Sequence, residues 1–143
     1  LGAMTPNLGE LALAARVAPE ELVEPLALER AAQAVLARCA PELLLVTLGN
    51  RGMCLISRSG EPTLSVAAAG REAVDVSGAG DTAAAAFTLA LAAGLDGASA
   101  LRLANAAAGV VVMEAGAAAC RLDRLRSALP AAPSPRAAGS VKA

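Results

Sequence analysis

The residues best suited to chemistry lie in the run DVSGAGDT, residues 75–82, where a β-leaning polar segment gives way to an alanine-rich helix. The first N–H groups of a helix have no intrahelical partner and carry the positive end of its dipole, so they favour a phosphate. Gly78, Ala79 and Gly80 leave the approach to those groups open. Successive N–H groups in such a turn also form a nest for an oxyanion. The junction therefore predicts an anion site.

Asp81 follows the nest within the first helical turn. A carboxylate there is placed to take a proton from an attacking hydroxyl while the nest holds a phosphoryl group, as phosphoryl transfer to an alcohol requires. The alternative is an ordinary glycine turn with Ser77 as the helix N-cap. Because Gly and Ala are abundant throughout the chain, this run alone favours neither interpretation.

The composition leaves carboxylates as the available general bases. The chain has no His, Tyr or Trp, and its single Lys is Lys142. A Ser-His-Asp triad, a His-containing zinc site and a Walker loop are therefore excluded. Cys39, Cys54 and Cys120 lie far apart and without CxxC spacing, so they predict neither a disulfide framework nor a metal knuckle and fit a reducing cytoplasm.

Charge and hydropathy argue against two classes of partner. The formal net charge is -1, and no Lys/Arg stripe with interleaved aromatic residues occurs, so nucleic-acid binding is not expected. Asp81 and Asp96 bracket the most apolar stretch before it reaches about 18 residues, and no membrane span is predicted. The N-terminus does not resemble a secretory signal. We expect a cytoplasmic domain with a Leu, Val and Ala core and Phe87 as its only large ring.

The apolar pattern predicts helices on both sides of a small group of strands. Asn7 with Glu10 opens the first helix, and Pro25 delays the second. The predicted helices span about residues 7–17, 26–39, 79–93, 98–114 and 121–129, and the third and fourth should be largely buried. The predicted strands span residues 43–48, 53–57 and 63–68 and form an antiparallel meander.

This mixture of helices and short strands predicts α/β architecture. The single domain covers residues 1–129. Residues 130–143, PAAPSPRAAGSVKA, are rich in Pro, Ala, Gly and Ser and predict a flexible tail or linker.

Four motifs in order, TPNLGE, LVTLGNRGM, DVSGAGDT and LANAAAGVVV, resemble the C-terminal half of a PfkB (ribokinase-like) carbohydrate kinase. Within that family the chain is most similar to the D-glycero-β-D-manno-heptose-7-phosphate kinases. The resemblance, from Thr5 to about Ala118, implies a three-layer α/β/α ribokinase-like fold whose N-terminal half, with the acceptor pocket, is missing. It also implies ATP-dependent phosphorylation of a sugar hydroxyl, here O1 of heptose 7-phosphate in ADP-heptose synthesis for the lipopolysaccharide core.

The resemblance assigns roles to the acidic run. Asp81 takes the position of the general base, and Gly78, Ala79 and Gly80 form the anion hole for the phosphoryl group. Asp75 and Ser77 resemble positions that line a monovalent-cation site, for K⁺, beside that hole.

The resemblance also assigns a metal pair. Asn7 and Glu10 match the family's NxxE pair, which organises Mg²⁺ and the phosphates, through water because Mg²⁺ dehydrates reluctantly. By spacing alone the alternative is a helix capping box.

Two further sites concern the nucleotide. Thr47, Gly49 and Gly52, in TLGNRG, resemble the loop that touches the phosphates and ribose of ATP, and the same residues fit an ordinary hairpin turn. Asn105, alone in an apolar helix, matches a family position beside the adenine. Its alternative is a core amide bonded to a neighbour.

Other functions stay open at this point. The chain resembles other PfkB sugar or nucleoside kinases too, and it could be a non-catalytic fragment that pairs with a complementary N-terminal half or forms a homodimer. Without an acceptor pocket, the isolated chain is expected to be inactive or weakly active. A dinucleotide-binding module is the third possibility, since GAGDTA fits GxGxxA and Asp96 follows, although Asp96 is predicted in a turn between helices.

Overall fold

The computed structural model describes residues 2–69, 78–113 and 119–129. Within these ranges the chain forms a four-stranded sheet with the order β1-β2-β3-β4. The strands are β1 (Ala3–Met4), β2 (Leu43–Thr47), β3 (Met53–Ser57) and β4 (Leu64–Val66). The helices are α1 (Leu8–Ala15), α2 (Pro25–Cys39), α3 (Ala79–Ala92), α4 (Gly97–Val112) and α5 (Leu122–Ala128). The predicted tail, residues 130–143, lies outside the described residues.

The predicted meander is confirmed, and one parallel strand is added to it. β2 pairs antiparallel with β3, with Val46 opposite Cys54, and β3 pairs antiparallel with β4. The turn between β2 and β3 is a short 3₁₀ helix, Gly49–Arg51. β1 pairs parallel with β2 and was not predicted, because two residues are too few to show an alternating pattern.

The central strands β2 and β3 are buried on both faces of the sheet, whereas β4 is largely exposed. Leu44 and Val46 of β2 pack with α1 and α2, whereas Leu45 between them packs with α3 and α4. Successive side chains of a strand point to opposite faces, so a run of three apolar residues demands a hydrophobic layer on each side. The predicted three-layer α/β/α architecture is therefore confirmed.

The prediction that α3 is largely buried is wrong, whereas the same prediction for α4 is confirmed. α3 buries one stripe, Ala83, Phe87 and Ala90, and Leu89 is 69% exposed. α4 packs against both α3 and β3, whereas α3 makes its main contact with α4 alone. A helix with one principal neighbour can bury only one face, however apolar its sequence. No helix within the described residues is long and apolar enough to cross a bilayer.

Phe87 is expected to dominate the core on the α3/α4 side of the sheet. It is fully buried and is the only aromatic residue in the chain. Phe87→Ala should lower the free energy of unfolding by about 3–5 kcal/mol, since a cavity is added to the lost transfer energy. Urea denaturation followed by circular dichroism measures this. Leu89→Ala, on the exposed face of the same helix, is the control and should stay within about 0.5 kcal/mol of wild type. Equal losses from the two variants would contradict this packing.

Candidate functional site

A cavity of about 500 Å³ opens at the carboxyl ends of the two parallel strands β1 and β2. The residues that follow these strands meet there, because Asn7 bridges to Thr47 and the Thr47 N–H donates to the Pro6 carbonyl at 3.0 Å. Ligands of α/β proteins bind beyond the carboxyl ends of parallel strands. The volume is within the range of small-molecule sites, about 300–1,000 Å³.

The cavity brings together residues that are far apart in the chain. Seven of the residues predicted for the site line it: Asn7, Thr47, Gly49, Gly52, Ala79, Gly80 and Asn105. Gly78 and Asp81 flank the lining residues of α3 in sequence without lining the cavity themselves. Asp75 and Ser77, predicted for the monovalent cation, lie outside the described residues.

The described lining carries no charged side chain. Its polar side chains belong to Asn7, Thr47 and Asn105, and the remainder is apolar or glycine. Such a surface suits an uncharged, flat ligand group with a few hydrogen-bonding edges. Phosphates would find no cationic side chain among these residues, so their charge has to meet backbone N–H groups, a metal ion or residues elsewhere.

The N-terminus of α3 contributes to the wall of the cavity. Its N-cap is Gly78, in the left-handed conformation at φ 79°, which favours glycine, and no side chain of the described residues caps the helix. Ser77, the alternative N-cap, lies outside the described residues. Ala79 and Gly80 line the cavity, and Asp81 is exposed in the same helical turn.

The N-terminus of α1 forms a complete capping box. The Glu10 N–H donates to Asn7 Oδ1 at 2.9 Å, and the Asn7 N–H donates to Glu10 Oε2 at 2.9 Å. The structural alternative for this pair is thus present. Asn7 Nδ2 and Glu10 Oε1 take no part in the box, so a role for these side chains at Mg²⁺ stays a prediction. Among the described residues no group of three or more His, Cys, Asp or Glu could hold a metal ion.

The turn at residues 49–52 is tightly packed against β4. Gly52 has φ 94°, and a Cβ on it would lie 2.0 Å from the Val66 carbonyl oxygen. The Leu48 N–H donates to the Gly52 carbonyl at 2.8 Å and closes the turn. Glycine is therefore required at residue 52 for the sheet to form, whether or not the turn also contacts a nucleotide.

Asn105 takes the structural role predicted as its alternative, and its place beside the adenine stays a prediction. Its Nδ2 donates to the Ala67 carbonyl at 2.8 Å, so the amide is bonded to a neighbouring segment. The same residue lines the cavity. Because a carbonyl oxygen can only accept, this bond also fixes which way the amide is oriented.

Asp96 does not lie where a ribose-binding acid must be. It is the N-cap of α4, in the turn after α3, and its Oδ1 accepts from the Ser99 N–H at 2.8 Å. Hydrogen bonds from the Ser99 backbone and then its side chain lower the pKa of Asp96 below 3.8. Asp96 lines a different cavity, beside β3 and the residues before β4. This geometry does not support a dinucleotide-binding module.

Several lining residues were not predicted from the sequence. They are the apolar or small residues Leu8, Gly9, Leu48, Met53, Ala68, Ala69, Ala108, Gly109 and Val112. The one sequence signal among them is Gly109, a poor helix former within an apolar helix, which indicates a close approach by another segment.

Comparison with known proteins places the chain in a family. Residues 3–124 match the model of the pfkB family of carbohydrate kinases. The chain belongs to this family, which confirms the resemblance seen in its four motifs.

Individual relatives agree with this membership. The bifunctional protein HldE of Koribacter versatilis is 43% identical over 138 residues, 96% of this chain and 27% of the relative. Ribokinase of Arabidopsis thaliana, solved with ribose and ATP, superposes with a TM-score of 0.66 at 29% identity over 82% of this chain and 36% of its own. Phosphofructokinase-2 of Escherichia coli shares the fold, with a TM-score of 0.77 at 24% identity over 89% of this chain and 39% of its own. The chain thus spans about a quarter of the curated relative.

Two variants test whether the capping box, and not the charge of Glu10, stabilises the folded chain. Asn7→Ala should lower the free energy of unfolding by about 1 kcal/mol, because the Glu10 N–H loses its acceptor. Glu10→Gln keeps an acceptor for the Asn7 N–H and should stay within about 0.5 kcal/mol of wild type. Urea denaturation measures both. A Glu10→Gln variant as unstable as Asn7→Ala would show that the charge, and not the box, matters for folding.

The Asp96 cap predicts a pH dependence of stability. A carboxylate whose pKa is lowered on folding stabilises fully above its unfolded-state value and loses that contribution as pH falls through the folded-state value. Asp96→Asn keeps an N-cap acceptor but removes the charge. Its deficit in the free energy of unfolding should therefore be present at neutral pH and disappear as the pH falls through the folded-state pKa of Asp96, which lies below the ordinary value for an aspartate. A deficit that grows as the pH falls would contradict this assignment.

Proposed function

We propose that this chain forms the nucleotide-binding part of an ATP-dependent sugar kinase. The observation that carries the proposal is an uncharged cavity lined by the N-terminus of α3, which no side chain of the described residues caps, with Asp81 in the first turn of that helix. Base and ribose occupy the cavity, and the terminal phosphate lies against the N–H groups at the start of α3. This division follows the chemistry of ATP, which is neutral at one end and anionic at the other.

The start of α3 acts as the anion hole. Gly78, Ala79 and Gly80 present backbone without bulky side chains, and the helix dipole adds positive potential there. Charge develops on the phosphoryl oxygens during transfer, and preorganised donors stabilise it by roughly 10²-fold or more for each donor. The described cavity offers no cationic side chain to do this instead.

Asp81 acts as the general base. It takes the proton from the attacking sugar hydroxyl, the oxygen forms a bond to the γ-phosphorus, and the bond to the β,γ-bridging oxygen breaks to release ADP. Its exposure in the described residues leaves its oxygens accessible to an acceptor that binds from outside the cavity. A carboxylate is the base that this composition supplies, since the chain has no His.

We place magnesium near the N-terminus of α1, where Glu10 Oε1 is not used by the capping box; Asn7 Nδ2 is also unused, but an amide N–H donates to a phosphate oxygen and does not ligate a cation. With one carboxylate nearby, the ion would be held through water and by the phosphates themselves. When bound, Mg²⁺ neutralises phosphate charge. The K⁺ site assigned to Asp75 and Ser77 is part of the same proposal.

The acceptor we propose is heptose 7-phosphate, phosphorylated at O1. This choice rests on the 43% identity to the bifunctional protein HldE over 96% of this chain, together with the TPN and LANAAAGVVV motifs. Residues for the acceptor would come from other parts of a longer protein, so the isolated chain should bind ATP better than it turns it over.

Asp81→Asn in the full-length enzyme tests the base. The value of kcat should fall by about 10²–10⁴-fold, because the proton of the acceptor hydroxyl loses its base, while KM for ATP changes little. Initial rates of ADP release at varied ATP measure both constants. Asp123→Asn, an exposed carboxylate of α5 paired with Arg121, is the matched control and should keep wild-type rates. Normal turnover by Asp81→Asn would refute the assignment.

A further inference from the structure

The end of the segment Val66–Ala69 forms part of the wall of the cavity, yet the sheet does not hold most of this segment. The last pair of the β3–β4 ladder is Met53 with Val66. Ala68 and Ala69 lie beyond that pair and line the cavity. Ala67 and Ala69 are exposed. Something other than strand pairing must therefore fix this wall.

Two glycines allow neighbouring elements to contact the segment directly, because a glycine has no side chain to hold the two apart. A Cβ on Gly52 would lie 2.0 Å from the Val66 oxygen and 2.7 Å from both the Ala67 carbonyl carbon and the Ala68 nitrogen. A Cβ on Gly109, in the last turn of α4, would lie 2.6 Å from the Ala69 Cβ. Neither position has room for a larger residue, since real Cβ atoms do not approach other atoms so closely.

A side-chain amide ties the segment between these two contacts. Asn105 Nδ2 donates to the Ala67 carbonyl at 2.8 Å across 38 positions in sequence. Asn105 and Gly109 are four residues apart and so lie on one face of α4. The segment is thus contacted by Gly52, in the turn after β2, and by Asn105 and Gly109, on one face of α4.

We propose that Gly52, Asn105 and Gly109 are positioning residues: they hold the segment Val66–Ala69 in place as part of the wall of the nucleotide pocket. This inference rests on the proposed function of the cavity. The position of this segment sets the affinity for the base and ribose end of ATP, because Ala68 and Ala69 line the cavity and the three contacts hold the segment to which they belong. Chemistry at the phosphate, at the start of α3, depends on it less.

The pair Gly109 and Ala69 tests the proposal because one methyl group can be moved between them. Gly109→Ala in the full-length enzyme should raise KM for ATP about tenfold, as small displacements of a binding wall do, while kcat at saturating ATP stays within about twofold. The double variant Gly109→Ala, Ala69→Gly removes the opposing methyl and should return KM to within about twofold of wild type. Ala69→Gly alone supplies the reference for the cycle.

Gly97→Ala is the matched control, since it places a methyl at the start of the same helix, where it meets only the end of the Leu55 side chain. It should keep the wild-type KM. If Gly109→Ala fails to fold, Ala69→Val brings bulk to the same contact from the exposed side and should raise KM alone.

The outcomes separate the two proposals. An unchanged KM in Gly109→Ala overturns the positioning role. A raised KM that Ala69→Gly does not restore also overturns it, because the new methyl then blocks the pocket directly. A wild-type enzyme that neither binds ATP in calorimetry nor releases ADP overturns the proposed function itself.

Discussion

Burial of the two central strands on both faces is the constraint from which the rest of the structure follows. β2 and β3 carry apolar side chains on both faces of the sheet, and each face must pack against its own hydrophobic layer. α1 and α2 supply one cover, and α3 and α4 supply the other. Because both faces are covered by helices, polar residues can cluster at the ends of the strands without displacing apolar residues from the core.

The cavity arises where the parallel pair β1 and β2 ends, because there the chain must leave the sheet to enter α1 and the turn at residues 49–52. Two of the glycines around it have a steric reason: Gly52 lets the backbone after β4 approach, and Gly109 leaves room for the Ala69 methyl. In the positioning role that we propose, these contacts hold the wall without much apolar burial. The cavity can then stay open beside a well-packed core.

Residues predicted for ligand binding carry structural roles at this site as well. Asn7 and Glu10 complete a capping box, and Asn105 bonds a neighbouring carbonyl, yet Asn7 and Asn105 both line the cavity. A side chain held by one hydrogen bond still offers its remaining polar atom to a ligand, and the bond fixes where that atom lies. Preorganisation of this kind reduces the entropy lost when a ligand binds.

Much of the secondary structure could be predicted from the sequence because its signals are local. The Asn7 cap, Pro25 and the short apolar run of β2 act within a few residues, and the four ordered motifs identified the family. The burial of α3 could not be predicted, since an apolar helix of this kind buries only the face that meets a neighbour, and its main neighbour is α4. The same is true of β1, whose pairing depends on a strand about 40 residues away.

The sequence by itself determined which chemistry is available: carboxylates without histidine, and a glycine-bearing turn ahead of a helix. Tertiary structure alone decided which residues share one cavity, and it placed Ala69 against Gly109 and Ala67 against Asn105. The reason is physical. Local propensities depend on neighbours in the chain, whereas the walls of a cavity are set by packing between elements that the chain brings together only when both faces of the sheet are covered.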